Sequence, residues 1–188
     1  MKNLQLINLE AVDNIVYPGT YDETTLLSSV SHIFTDFKYV KPLIIEADTL
    51  AADALNLMAK AHVQMKIVIS DNNDFLGIIS TKELSEQSMV TEVAKGIERE
   101  EILVRDMMLS RHTLQAFDLN SLQNASVRDV ITSLKSYNMS HCLVVDRENH
   151  HIRGVISSSD IARKLHLPIV INTKMSFKML FEAIADNI

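Results

Sequence analysis

The sequence predicts an α/β fold (of the α+β kind) in which one strand–helix–strand–strand–helix unit is used twice. Three observations carry this expectation. The run Phe75-Leu-Gly-Ile-Ile-Ser-Thr-Lys-Glu-Leu84 returns as Ile152-Arg-Gly-Val-Ile-Ser-Ser-Ser-Asp-Ile161. Upstream stretches return in the same order, Asp53–Met58 as Asp129–Leu134 and Lys66–Ile69 as Cys142–Val145. Helix-spaced and strand-spaced apolar residues alternate in both copies, which is the pattern of a repeated α/β unit.

Met1–Thr24 is the least readable part of the sequence. Ser28–Phe37 reads as a leading helix, with Val30, Ile33/Phe34 and Phe37 on one stripe. The first strand of unit one lies near Leu43–Glu46. A helix follows, with Leu50, Ala54, Leu57/Met58 and Ala61 on one face and Thr49 where an N-cap belongs. Two β-rich runs, Ile67–Ile69 and Phe75–Ile79, flank a polar turn at Ser70–Asp74. A closing helix begins after Ser80. Val90, Val93/Ala94 and Ile97 make an amphipathic linker helix ended by Gly96.

Unit two repeats the order. Glu101–Leu109 reads as its leading helix and Thr113–Phe117 as its first strand. Val127, Val130/Ile131, Leu134 and Tyr137 mark a helix capped by Ser126. Leu143–Val145 and Ile152–Ile156 form the paired strands around Asp146–His151. A closing helix begins after Ser157 and is broken by Pro168. Ser176 then opens a last helix, with Phe177, Leu180/Phe181, Ile184 and Ile188 on one stripe. The expected division is residues 25–98 for the first unit with its preceding helix and 99–188 for the second with the C-terminal helix.

Composition excludes several function classes. The 188 residues are 47% hydrophobic, enough to bury a core. A net charge of −6 without tryptophan argues against a nucleic-acid surface. No apolar run approaches the ~18 residues of a membrane span, and Met1–Glu10 lacks the basic-then-apolar pattern of a signal peptide, so a cytoplasmic protein is expected. The glycines, Gly19, Gly77, Gly96 and Gly154, stand too far apart for a dinucleotide fingerprint or a P-loop. A single cysteine, Cys142, excludes an internal disulfide and a Cys-x-x-Cys zinc site, and it reads as a small buried hydrophobe. His150 and His151 in a polar turn lack further metal ligands. With no nucleophile–base or metal motif, the expected class is not an enzyme.

The two copies of Gly-h-h-Ser-x-x-acid, where h is a hydrophobic residue, carry a resemblance: Gly77, Ser80, Glu83 and Gly154, Ser157, Asp160. Together with the strand before each motif and the helix after it, they resemble a tandem pair of cystathionine-β-synthase (CBS) domains, the Bateman module, over about Ser28–Leu165. Glu83 departs from the Asp or Asn usual there. The resemblance implies two units about a pseudo-twofold axis, enclosing two clefts that take adenosine derivatives. The expected ligand is AMP, ADP or ATP ahead of S-adenosylmethionine, with no cofactor required. The acidic residue would accept both hydroxyls of a ribose.

The resemblance sets each acidic residue opposite the first strands of the other unit. Asp160 and Ser157 would share a cleft with Lys38, Leu43, Val63, Gln64 and Met65, with Lys38 on a phosphate. Ser80 and Glu83 would share the other with Leu109, Leu114, Met139, Ser140 and His141, and His141 would reach across the common entrance. A reading without ligand stands beside this one: Ser80-x-x-Glu83 is a capping box and Ser157-x-x-Asp160 a shorter one. His141 equally reads as a satisfied histidine at a strand start. The expected function is a stand-alone regulatory protein that binds an adenine nucleotide and signals to an unidentified partner; the alternative is a ligand-free interaction module. A homodimer is expected through the Val30–Phe37 and Phe177–Ile184 stripes, unless the last helix folds back over its own chain. Neither nucleic acid nor membrane is an expected partner.

Overall fold

The structure, a computed structural model, describes residues 23–167 and 175–185. In chain order, a 3-10 turn at Val30–His32 leads into β1 (Phe34–Asp36). The first unit follows: β2 (Ile44–Glu46), α1 (Ala51–Lys60), β3 (Met65–Ile69), β4 (Phe75–Ser80) and α2 (Glu86–Ala94). Another 3-10 turn, Arg99–Glu101, leads through α3 (Val104–Met107) to β5 (Leu109–Ser110). The second unit contains β6 (Ala116–Asp118), α4 (Leu119–Leu122), α5 (Val127–Leu134), β7 (His141–Asp146), β8 (His151–Ser157) and α6 (Ser158–Lys164). The last described helix is α7 (Phe177–Ala185).

Each unit is a hairpin with a parallel neighbour. β3 and β4 pair antiparallel, as do β7 and β8, while β2 joins β3 and β6 joins β7 in parallel. Parallel neighbours need a crossover, supplied here by α1 and by α4–α5. The result is two four-stranded sheets, β2-β3-β4-β5 and β1-β8-β7-β6. Ile67, Ile69, Ile78, Leu143 and Val155 form a core shared by β3, β4, β7 and β8, joining strands of the two sheets.

The two leading segments are the main correction to the expected elements. Ser28–Phe37 is not a helix but the 3-10 turn and β1; Glu101–Leu109 keeps only α3 between its 3-10 turn and β5. Each ends by completing the sheet of the other unit: β1 pairs with β8, and β5 with β4. The motif glycines admit them. A Cβ on Gly154 would lie 2.2 Å from the Thr35 carbonyl oxygen, and one on Gly77 would lie 2.2 Å from that of Leu109. Tertiary pairing at those open edges outweighs the helical spacing of the segments.

The cores cross over accordingly. Val30 and Ile33 are buried with Val127, Val130 and Ile131 of the second unit. Ile102, Val104 and Met107 are buried with Ala54, Met58 and Ile79 of the first. Each core therefore includes a segment from the other side of residue 98. Backbone bonds hold the crossings, Val127 N–H donating to the Ser28 carbonyl (2.9 Å) and Val104 N–H to that of Thr49 (2.9 Å).

Helix ends follow local chemistry, with two shifts. Ser126 caps α5 in a capping box with Asp129, as expected. Thr49 is not a cap: Leu50 holds the N-cap of α1 without a side-chain bond. The closing helix of unit one starts at Glu86 under a Ser85 cap, because Ser80 and Glu83 bond each other within a turn. Gly96 ends α2 at φ 98°, with its N–H on the Val93 carbonyl and that of Ile97 on Glu92. Ser126→Ala removes the hydroxyl half of the box, leaving the backbone N–H on Asp129, and should cost about 1 kcal/mol in urea unfolding. An unchanged midpoint would show that the cap contributes nothing.

α7 packs on α5 and α6. Phe177 and Leu180 are fully buried there, as are Val30 and Ile33 on the leading segment. The stripes expected to pair two chains are thus largely core of one chain, and the fold-back account is what the structure shows. Ile188 and Pro168 lie outside the described residues.

β1 is fastened by an ion pair across 117 residues of sequence. Arg153 donates from Nε and Nη2 to the two carboxylate oxygens of Asp36, both at 2.7 Å. That guanidinium holds the Asp36 carboxyl below its ordinary value. A depressed carboxylate stabilises the fold above its unfolded pKa and loses that contribution as pH falls through the lower folded value. Stability measured below pH about 4 should therefore fall less steeply in Asp36→Asn than in the wild type. Parallel curves for the two would remove the linkage.

Candidate functional site

Two clefts open beside the motif turns. The larger, about 350 Å³, holds Asp160 and Ser157 at the end of β8 and the start of α6. Facing them are Leu43 at the approach to β2, Val63 and Gln64 at the approach to β3, and Met65 at its start. These six residues, expected together from the sequence, are brought together by the pairing of the two sheets. The smaller cleft, about 300 Å³, holds Ser80, Glu83, Leu109, Met139, Ser140 and His141. His141 lines both clefts and so stands at their junction.

Lys38 does not enter the Asp160 cleft. The chain turns at Asp36, whose carboxylate accepts the Lys38 backbone N–H (2.8 Å), and the Lys38 side chain lies by the Tyr39 ring. It lines a separate cavity. Lys41, three residues on, occupies the cleft instead, along with Thr35, His62 and Arg163. None of these four was legible as a site residue. Thr35 arrives through the strand exchange, and it, not Lys38, is the counterpart of Leu109, since each supplies the carbonyl that crowds a motif glycine. Leu114 likewise leaves its expected cleft, packing on the apolar layer between the sheets.

The two acidic residues differ in what already engages them. Glu83 accepts from the Ser80 N–H (3.1 Å) and, at short range, from the Ser80 hydroxyl, both on one oxygen. Lys82 reaches across to the Asn138 carbonyl (2.9 Å), tying the units together beside that cleft. Glu83 is thus closed into its own turn. Asp160 does not bond the Ser157 backbone in return; its N–H donates to Ser157 Oγ (3.4 Å), and its carboxylate pairs with Arg163 (2.9 Å) at a solvent-exposed rim. A charge pair in such a position is weak and readily exchanged.

Ser158 lies behind the strand start that carries His141. Its buried hydroxyl donates to the Met175 carbonyl (2.5 Å) and its N–H to the Ser140 carbonyl (3.0 Å), which anchors the chain before His141. Burial pushes the His141 imidazole down to about 4, with the Asp160 carboxylate opposing the shift. A neutral histidine at that junction can donate from one ring nitrogen and accept at the other. Its folded pKa lies below the unfolded value, so the unfolded state binds the extra proton as pH falls from about 6.5 to 4, and stability falls over that window. His141→Gln should flatten the slope of unfolding free energy against pH there; an unaltered slope would exclude the histidine as its source. Cys142, the next residue, is buried, with its thiol pushed up to about 11. It is packing, not a nucleophile.

A family model for the CBS domain matches residues 30–89 and 122–167, more than half of the chain. The chain belongs to the CBS-domain family. Solved CBS-pair structures share the fold. An uncharacterised conserved protein from Pyrococcus horikoshii aligns with a TM-score of 0.56 at 17% identity, covering 78% of this chain and 98% of that one. A conserved CBS-domain protein of Thermoplasma acidophilum gives 0.51 at 18%, covering 81% and 77%. CBSX2 of Arabidopsis thaliana, solved in complex with AMP, gives 0.53 at 20%, covering 72% and 93%. No curated protein matches the chain. As a CBS pair, the chain places its Asp160 and Glu83 turns beside clefts formed with the opposite unit. Among the described residues, no helix is long and apolar enough to cross a membrane.

Proposed function

We propose that this CBS pair is a regulatory module that binds an adenine nucleotide in the Asp160 cleft and passes its occupancy to a partner protein. The carrying observation is the set of groups in one 350 Å³ space: a carboxylate engaged by a rim arginine, apolar walls and cations. Asp160 suits a ribose diol, Leu43, Val63 and Met65 suit an adenine face, and Lys41, His62 and Arg163 suit phosphates. The fold neighbour CBSX2, in complex with AMP, supports the ligand class. AMP, ADP and ATP are the ligands to test first, ahead of S-adenosylmethionine.

The two clefts are not equivalent in this reading. With Glu83 held by Ser80, calorimetry should give one strong site per chain. Two indistinguishable sites would contradict the assignment of Asp160 as the distinguishing group. No heat with any adenine nucleotide would favour the ligand-free interaction module, a reading that the self-satisfied Ser80–Glu83 turn supports for the smaller cleft.

Self-association remains part of the proposal, on a different surface from the one the sequence suggested. Leu57 on α1 and Val90 and Val93 on α2 are each more than 40% exposed. Light scattering at micromolar concentration should return twice the chain mass. A single chain mass would leave those side chains to the signalling partner.

A further inference from the structure

The inter-sheet layer has a second opening at its other end. Beyond the hairpin turns lies a cavity of about 770 Å³, the largest among those described. The ladders of both hairpins shift register just before the turns, between Val68 and Ile69 and between Val144 and Val145. A bulge bends the strand that carries it, and the cavity lies where the strands run past these bulges. Its wall is apolar: Phe37, Ile44, Ile67, Ile69, Phe75 and Ile152. Phe37 and Ile67 also line the Asp160 cleft, so the two openings share a wall.

The rim is polar and carries more cationic than anionic groups. Lys38 and Arg153 lie on it with His150 and His151. Arg153 is held by Asp36, and the exposed Lys38 ammonium, though in the field of Asp36, makes no direct ion pair among the described residues. The one carboxylate on the rim, Asp146, accepts from the Asn149 N–H (3.1 Å) and side-chain amide (2.9 Å), one bond on each oxygen. An apolar pocket with a few polar groups at its mouth is the usual form of a small-molecule site, and a cavity near 770 Å³ lies in the usual range.

We infer that this cavity is a second ligand site, distinct from the nucleotide cleft, and that it takes an amphipathic anion. The apolar body of the ligand, an aliphatic chain or an aromatic ring system, would lie against Ile44, Ile69 and Phe75. Its carboxylate or sulfonate head would meet Lys38 at the rim. The Lys38 ammonium lies 5.7 Å from the Tyr39 ring centroid.

The full chain can be titrated with anilinonaphthalene sulfonate, an aromatic anion whose fluorescence rises in apolar surroundings. Saturation at one probe per chain is expected, with displacement by dodecanoate and not by dodecyltrimethylammonium. Lys38→Glu and Ile44→Glu should each weaken the probe by about tenfold or more, the loss of a charge-assisted or apolar contact. Lys38 and Ile44 are exposed, so neither variant threatens the core. Asp160→Ala should leave probe affinity unchanged, which separates this site from the nucleotide reading. Equal displacement by the cationic amphiphile, or wild-type affinity in both variants, would overturn the inference.

Discussion

Gly154→Ala should destabilise the protein by about 1–3 kcal/mol or more, the range for forcing extra volume into a packed site. The new Cβ would stand 2.2 Å from the Thr35 carbonyl oxygen and within 2.8 Å of two carbons of the Phe34 ring. A ring can rotate away; a carbonyl engaged in a sheet cannot move without parting β1 from β8. The consequence extends to the site, because Thr35 and Phe37, on and just after β1, line the Asp160 cleft. Gly77→Ala should be comparable, since its Cβ meets the Leu109 carbonyl at 2.2 Å. Gly96→Ala is the control. Nothing lies within 4 Å of its Cβ, so only the strain of φ 98° remains, about 1 kcal/mol. Urea unfolding of the three variants decides the matter. If Gly154→Ala unfolds at the wild-type midpoint, strand exchange is not what the motif glycine serves.

Asp160→Ala should weaken AMP binding by about 1.5–3 kcal/mol, roughly ten- to a hundredfold, the value of hydrogen bonds to a charged group. The fold should survive. Asp160 is only half-buried, and its ion partner Arg163 is mostly exposed. Glu83→Ala should do the reverse, leaving AMP affinity intact while loosening the turn that Ser80 closes. Calorimetry with thermal unfolding on the same samples reads both quantities. Nucleotide affinity that follows Glu83 and ignores Asp160 would exchange the roles of the clefts.

The pairing of Gly77–Glu83 with Gly154–Asp160 was enough to foresee two hairpins and two crossover helices, while the clustering of Asp160 with Val63, Gln64 and Met65 was implied only by the family resemblance. The hairpins and helices depend on local patterns: alternation within a strand, 3.6-residue spacing in a helix, a polar turn between. The same logic placed Ser126 as a cap and Gly96 as a stop, since capping acts within four residues.

Lys38, Leu114 and the two leading segments followed from nothing local. Val30, Ile33 and Phe37 have helical spacing, yet the chain there finds an unpaired β8 edge beside a glycine, and a strand results. That exchange brought in Thr35 and set Lys41 in place of Lys38. It also supplied Val30 and Ile33 to the second core, while α7 covered α5 and α6. The sequence by itself therefore determined the units and their Ser-x-x-acid motifs, because short-range spacing encodes them. Only the tertiary structure decided which segment completes which sheet, which cation faces Asp160 and which apolar stripes are core. Those outcomes depend on contacts between residues distant in sequence, from Gly77 with Ser110 to Asp36 with Arg153, which no local pattern records.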